Sequence, residues 1–229
     1  MKKYTLIAGL LLAFAGLSNA QLAYQRGTFQ ANVTEGNTFS NYSTQISSPT
    51  QEVGWGHFVG CRDPLSLEYG ISNRISIGLS SGSDYYMLDP RQFYGLENSN
   101  NQIKALASEF TIDGAYHFYV TRHLDISAAL SLGSTTISFS GTNGYQSNPD
   151  TYKNSFLAND GSFNYTAKGG IIRTGIHARY FLGHIGFVAM FTMFSESATQ
   201  QAPKGTPGLY STSITGFAKE FGLCWRFKK

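Results

Sequence analysis

The sequence predicts an all-β fold: an eight-stranded, antiparallel, up-and-down transmembrane β-barrel. Three observations carry the prediction. Apolar residues recur at every second position over most of the chain, the period of a strand. Tight turns alternate with long polar connections, so every long segment falls at one end. Charged and polar side chains occupy the face that the apolar ones leave, which in a membrane barrel is the inside. Closure belongs to the prediction because lipid cannot satisfy an unpaired strand edge.

The first twenty residues stand apart. Lys2 and Lys3 precede twelve apolar residues, 6–17, and Ser18-Asn19-Ala20 supplies small residues at the end. This layout predicts a secretory signal peptide, residues 1–20, cleaved after Ala20. Twelve apolar residues fall short of the ~20 needed for a membrane-crossing helix. The remaining 209 residues, 21–229, are expected to form one barrel domain. Without Lys2 and Lys3, seventeen Lys and Arg become fifteen against fourteen Asp and Glu, a charge of +1.

Composition narrows the function classes. Only 14% of the 229 residues are charged, against about 25% in an ordinary soluble domain. Aromatics also reach 14%, which argues against a disordered chain. So small a net charge leaves no electrostatic case for nucleic acid. Two cysteines are too few for a disulfide scaffold.

The strands follow in order. In the first, Phe29, Ala31 and Val33 alternate with Thr28, Gln30 and Asn32. The second runs into a turn at 70–74 and contains Pro64. Asp63 would share a face there with Leu65 and Leu67. A bulge is therefore expected, since proline inside a sheet is confined largely to edges and bulges. Ile75, Ile77 and Leu79 mark the third strand. Phe110, Ile112, Gly114, Tyr116 and Phe118 mark the fourth, with Asp113, His117 and Tyr119 on its other face. A turn at 120–123 leads to the fifth, with Leu124, Ile126, Ala128, Leu130 and Leu132 outward. The sixth carries His177 and Arg179 inward and ends in a turn at 182–184. The seventh, residues 185–194, is apolar on both faces, so the interior beside Val188, Met190 and Phe194 is expected to be dry. Phe221, Leu223, Trp225 and Phe227 mark the eighth. The long polar loops are expected at about residues 34–54, 87–105, 140–165 and 196–211. Both termini then fall at the tight-turn end.

Aromatic placement suits a membrane. Tyr69, Phe118, Tyr119, Tyr180, Phe181, Trp225 and Phe227 lie near the tight turns or the C-terminus. Trp55, Tyr85 and Tyr86 lie toward the other end. Two girdles bounding an apolar band are expected of such barrels. Lys219 shares parity with Phe217 and Phe221 and should snorkel to an interface.

The inward-facing set is Arg26, Glu68, Asp113, His117, Asp125, Arg173, His177, Arg179, Glu220 and Arg226. Such a set could be a proton path, a ligand site or an acid–base centre. The plainer reading is a lumen charge network. Eight strands leave an interior just wide enough for side chains or one small ligand, and buried charges must be paired. The five His and two Cys form no Cys-x-x-Cys or His-x-x-x-His spacing, so neither a metal nor any other cofactor is expected. Cys61 and Cys224 would sit on the second and eighth strands, two strand spacings or ~9.6 Å apart, beyond disulfide reach.

The hairpins at 69–79, with Tyr69-Gly70-Ile71-Ser72-Asn73-Arg74, and at 116–126, with the aromatic last strand 216–227, carry a resemblance. The chain resembles the small eight-stranded outer-membrane β-barrels, the OmpA-transmembrane and OmpX-like group, over almost all of residues 21–227. The resemblance implies residence in the outer membrane of a Gram-negative bacterium, with short periplasmic turns and long outer loops. It also implies partners: outer-membrane lipid, periplasmic chaperones, and the assembly machinery that reads the C-terminal aromatic strand. This chain adds Lys228 and Lys229 after that strand. The expected function is non-enzymatic, structural or surface-binding through the outer loops. A small-solute carrier or narrow pore is the alternative, and a lipid-modifying enzyme a third. A barrel-type lipid A deacylase would show a His-x-Ser pair, and none of the five His has Ser two residues later.

Overall fold

The computed structural model describes residues 22–47, 50–88, 103–142, 162–201 and 209–227. The expected signal peptide, residues 1–20, and its cleavage site lie outside the described residues. Nine strands make one antiparallel sheet: β1 (Phe29–Ser47), β2 (Thr50–Arg62), β3 (Leu65–Gly70), β4 (Ile75–Leu88), β5 (Ile103–Val120), β6 (Leu124–Thr142), β7 (Ser162–Leu182), β8 (Ile185–Gln201) and β9 (Leu209–Phe227). β1 pairs with both β2 and β3, both of these pair with β4, the strands from β4 to β9 pair in sequence, and β9 closes on β1 from Phe29↔Phe227 to Ile46↔Tyr210. Among the described residues no helix is long and apolar enough to cross a membrane.

β2 and β3 are two halves of one barrel strand, so the barrel has eight walls. Both halves pair with β1 and with β4. The interruption at Asp63-Pro64 is not the expected bulge. Gly36↔Arg62 and Val33↔Leu65 keep one register on β1, and Arg62↔Asp84 and Leu65↔Ser81 keep one register on β4. Proline merely removes a donor from the ladder. Asp63 therefore does share the outward, exposed face of Leu65 and Leu67, while Pro64 is buried inward. A real bulge lies elsewhere, between His117 and Tyr119 opposite Ser127 and Ile126. It turns Tyr119 outward beside Phe118, although alternation alone places it inward.

The three tight turns stand where expected, at 71–74, 121–123 and 183–184. Gly183 adopts φ +78°, a conformation that suits glycine in so short a connection. The strands run further into the polar stretches than expected. β1 reaches Ser47, β4 reaches Leu88, β6 reaches Thr142 and β8 reaches Gln201. Strands of 17–21 residues exceed the ~9–11 that cross a bilayer, so the wall continues past the apolar band. The outward face changes composition where the band ends. Phe39, Phe217, Met193 and Leu132 are its last large apolar residues on four strands. Asn41, Thr215, Ser195 and Ser134 follow outward on the same strands.

Outward exposure of Ile77 (52%), Leu130 (48%) and Phe221 (67%) beside complete burial of His117, Asp125 and Glu196 inverts the pattern of a water-soluble protein. Of the girdle aromatics, Tyr69, Phe118, Tyr119, Tyr180, Tyr85 and Phe227 are outward and exposed. Phe181 and Tyr86 point inward instead and are buried, because each falls on the lumen parity of its strand. Trp225 is buried against Phe227, ring centroids 5.6 Å apart. The Trp55 side chain lies outside the described residues. Lys219 is exposed over the stacked Phe39 and Phe217 rings, 5.8 and 6.0 Å from their centroids.

Candidate functional site: the barrel lumen

The lumen is layered. At the tight-turn end the chain before β1 folds into the mouth. Ala23 and Tyr24 are fully buried. Ala23 donates its N–H to the Thr121 carbonyl at 2.7 Å and accepts from Gln30 Nε2 at 3.3 Å. The Tyr24 hydroxyl donates to the Ile75 carbonyl at 2.6 Å. Burial first, and the nearby Glu68 carboxylate second, push that hydroxyl's pKa above its ordinary range. Gly70 permits the approach, since a Cβ there would strike the Gln25 carbonyl and the Tyr24 ring. Beside this stopper lies a small apolar layer of Ala23, Phe181, Val188 and Cys224, with Val120 and Met190 against it. Of the three residues expected to make a dry interior, Val188 is in this apolar layer and Met190 packs at its edge, whereas Phe194 lies under the Arg173 guanidinium.

Above the stopper is a ring of four ionisable side chains from β3, β5, β6 and β7. His117 Nε2 lies 2.9 Å from Glu68 and Nδ1 lies 2.7 Å from Asp125. Arg179 bridges the same two carboxylates at 2.6 and 3.1 Å. Asp125 and Arg179 are direct cross-strand partners, so β6–β7 register builds one side of the ring. Both imidazole nitrogens face carboxylates, and both can donate only in the protonated ring. Ser76 Oγ also lies 3.0 Å from His117 Nε2. Ser76, His117 and Asp125 thus have the spacing of a nucleophile, base and orienting acid. Glu68 competes for the same nitrogen, and Ser76 itself is buried.

A second network crosses the lumen higher up. Arg62 on β2 reaches Asp84 at 2.9 Å, Glu220 at 3.1 Å, and Glu109. Arg173 on β7 reaches Asp84 at 3.0 Å and Glu109 through Nε at 2.8 Å, with Glu196 at 3.7 Å. Its guanidinium also lies 4.6 Å from the Phe194 ring centroid. Thr135 and Thr34 donate to Glu196 and Glu220 at 2.9 and 3.0 Å. Asp84, Glu109 and Glu196 bring carboxylate oxygens within 4.8 Å of one another. Two guanidiniums supply the positive charge among them.

The two networks bring together Glu68, His117, Asp125, Arg173, Arg179 and Glu220 of the ten inward residues read from the sequence. The other four sit differently. Arg26 precedes β1 and is exposed, with its N–H on Asn73 Oδ1, so it does not join the lumen set. Arg226 is buried but donates to the Leu22 and Gly183 carbonyls, both at 2.6 Å, because the stopper occupies its end of the lumen. Asp113 and His177 line the space between the networks. Sequence reasoning missed Arg62, Asp84, Glu109, Glu196 and Tyr24. The first four have lumen parity on their strands, a signal that was available.

Cys61 is exposed on the outward face and Cys224 is buried inward, opposite Asn37 and Asn32 of β1 respectively. The two thiols lie on opposite sides of the barrel wall.

Comparison with solved structures places the fold. The chain is similar to the outer membrane protein OprG from Pseudomonas aeruginosa, at 13% identity and TM-score 0.52, over 90% of this chain and 98% of that one. It is also similar to the outer membrane protease OmpT from Escherichia coli (11% identity, TM-score 0.45, 92% and 100% covered). Neisserial surface protein A is a third (12% identity, TM-score 0.42, 88% and 100% covered). No protein-family model matches the sequence, and no curated protein matches it. The fold is that of the small outer-membrane β-barrels.

Proposed function

We propose that this chain is a non-enzymatic, integral outer-membrane β-barrel of a Gram-negative envelope, with a structural or surface-binding role at its long-connection end. One observation carries the reading: the lumen is crossed by two buried ion-pair networks and stoppered by Ala23 and Tyr24. Among the described residues, side chains committed to one another in this way span the lumen at two levels, which supports a closed barrel over an open pore. The barrel wall that continues past the apolar band presents hydroxyl-rich strands such as Ser134, Thr136 and Ser138 to the outside.

Reconstitution of the mature chain in planar bilayers tests this. Stable single-channel openings at neutral pH would overturn the closed-lumen reading in favour of a narrow pore. The Ser76–His117–Asp125 geometry supports a second reading, a hydrolase. A serine-directed fluorophosphonate should leave Ser76 unlabelled, and lipid A mass spectra should be the same with and without the protein. Labelling at Ser76, or loss of an acyl chain from lipid A, would establish the enzyme instead.

A further inference from the structure

Two acidic side chains stand side by side on the wall that otherwise meets lipid. Gly36↔Arg62 and Val33↔Leu65 keep one register across Asp63-Pro64, so Glu35 of β1 lies directly opposite Asp63. Both are outward and exposed. Their level is inside the apolar band and not at its rim. Val33 and Leu65 are the next outward residues toward the turns, and Phe39 and Val59 stand beyond on the same strands. Phe221, 67% exposed, is the β9 partner of Glu35. Like charges directly opposite on one sheet face repel, and a charge on the lipid face costs stability that grows with depth. Among the described residues no cation pairs with either carboxylate.

Lys219 is the cation of the same face. Its cross-strand partner is Asn37, two residues from Glu35 on β1, which puts Lys219 and Glu35 one diagonal step apart, roughly 7–8 Å. The ammonium nevertheless lies over the Phe39 and Phe217 rings, 5.8 and 6.0 Å from their centroids, on the side away from Glu35. The patch therefore carries Lys219 on its β9 flank and Asp63 on its β2–β3 flank, with Glu35 between them and no ion pair made. Ionisable side chains at membrane depth are rare and normally paired. In a lone barrel this patch only costs stability.

We propose that this face is a self-association surface on which a second copy of the chain docks, the Lys219 ammonium of each copy meeting the Glu35 and Asp63 carboxylates of the other. Copies in one membrane share one orientation, so a two-fold axis between them runs along the membrane normal. An axis in front of β1 sets the β9 flank of one copy against the β2–β3 flank of its mate. A two-fold contact is self-complementary, residue i on j and j on i. Opposite signs on opposite flanks of one strand satisfy that symmetry, whereas a patch of one sign would repel its own copy. The surface is independent of the closed lumen and of any role at the outer end.

Cys61 supplies the readout, being exposed in the same patch opposite Asn37. The mature chain carrying Cys224→Ser keeps this one thiol. It is refolded into vesicles at high lipid excess and treated with a membrane-permeant bis-maleimide. A denaturing gel should show a crosslinked species of doubled mass. Leu130→Cys, with Cys61 also replaced, puts the thiol on the lipid face of β6, the wall across the ring from β1, and should give none. Glu35→Gln combined with Asp63→Asn keeps the side-chain shapes and removes both charges, so the barrel should still fold. Its dimer should be at least about tenfold weaker, as expected when interfacial charge pairs are lost. Lys219→Gln should weaken it equally. No doubled species from Cys61, or as much from position 130, would overturn the proposal. So would a dimer that survives Lys219→Gln or the acid double variant. In outer membranes of producing cells, Cys61 joined to a chain of another mass would give the patch to a different protein and overturn it too.

Discussion

The Tyr24 ring lies flat on the His117 imidazole, centroids 3.4 Å apart and planes within 6°. This contact joins the segment before β1 to the charged ring that spans β3, β5, β6 and β7. The stopper and the ring are thus one structure, and loosening either should expose what lies beneath. The native thiol of Cys224 packs in the same layer as Ala23 and can report it.

Tyr24→Ala should open the mouth. With Cys61 replaced by Ser, maleimide should label Cys224 slowly in the otherwise native barrel. Truncating a buried aromatic removes roughly 3–5 kcal/mol of packing, so labelling should rise at least about tenfold in the variant. An unchanged rate would mean that the stopper is not held by this ring.

Arg62→Ala should be severely destabilising. Arg62 is almost fully buried and meets Asp84, Glu109 and Glu220. Removing one partner from a buried network costs about 3–5 kcal/mol because it strands the other charges. Arg26→Ala, at an exposed position outside the lumen, should fall within about 0.5 kcal/mol of the native chain. Urea-induced unfolding from lipid vesicles measures both, and equal costs would contradict the assignment of Arg62 to the network.

These two arginines also show what was legible in the sequence. Period-two alternation places eight walls, three turns and the apolar face. It places Glu68, and counting back from Glu68 through Pro64 also reaches Arg62 on the lumen side. The apparent conflict at Asp63 concealed that, because a lipid-facing aspartate beside Leu65 suggests a shifted register. Asp84, Glu109 and Glu196 lie close to polar stretches that read as loops, although their parity continues the strand. Tyr24 precedes any periodic segment. Its burial depends on the closed mouth formed by Gly70, Ile75 and His117, which are distant in sequence.

Asp63 itself should be a stability defect. It is exposed outward between the β2 and β3 ladders, with Leu65 and Leu67 next on that face. Acidic residues on the lipid face cost less than arginine or lysine, so Asp63→Leu should stabilise by on the order of 1 kcal/mol. A higher urea midpoint with an unchanged slope would bear this out. A lower midpoint would assign Asp63 a partner that offsets its charge.

Leu130→Arg should cost about 2–4 kcal/mol, the depth-dependent cost of an arginine near the bilayer midplane. Leu130 is outward and 48% exposed on β6. Ser131→Ala, on the inward side, should cost much less. The contrast reads out which face meets lipid, and a smaller loss for Leu130→Arg would reverse the wall.

Orientation is the remaining question, and the two ends of the barrel answer it differently. The tight turn at 71–74 holds Asn73, exposed, with its side chain on the Arg26 N–H. Position 148 falls in the connection between β6 and β7, outside the described residues. If the turns face the periplasm, an impermeant thiol reagent added to whole cells should reach a cysteine placed at Asn148 and not one placed at Asn73. Cys61 must be replaced first, because it is exposed on the outward face. Cys224, though buried, is replaced as well to keep the background silent. Rupturing the cells should then expose position 73, which separates a protected turn from a misfolded barrel. Labelling at 73 and not at 148 in intact cells would invert the barrel. Labelling at neither until the cells are broken would remove the chain from the surface altogether, and with it the surface-binding role.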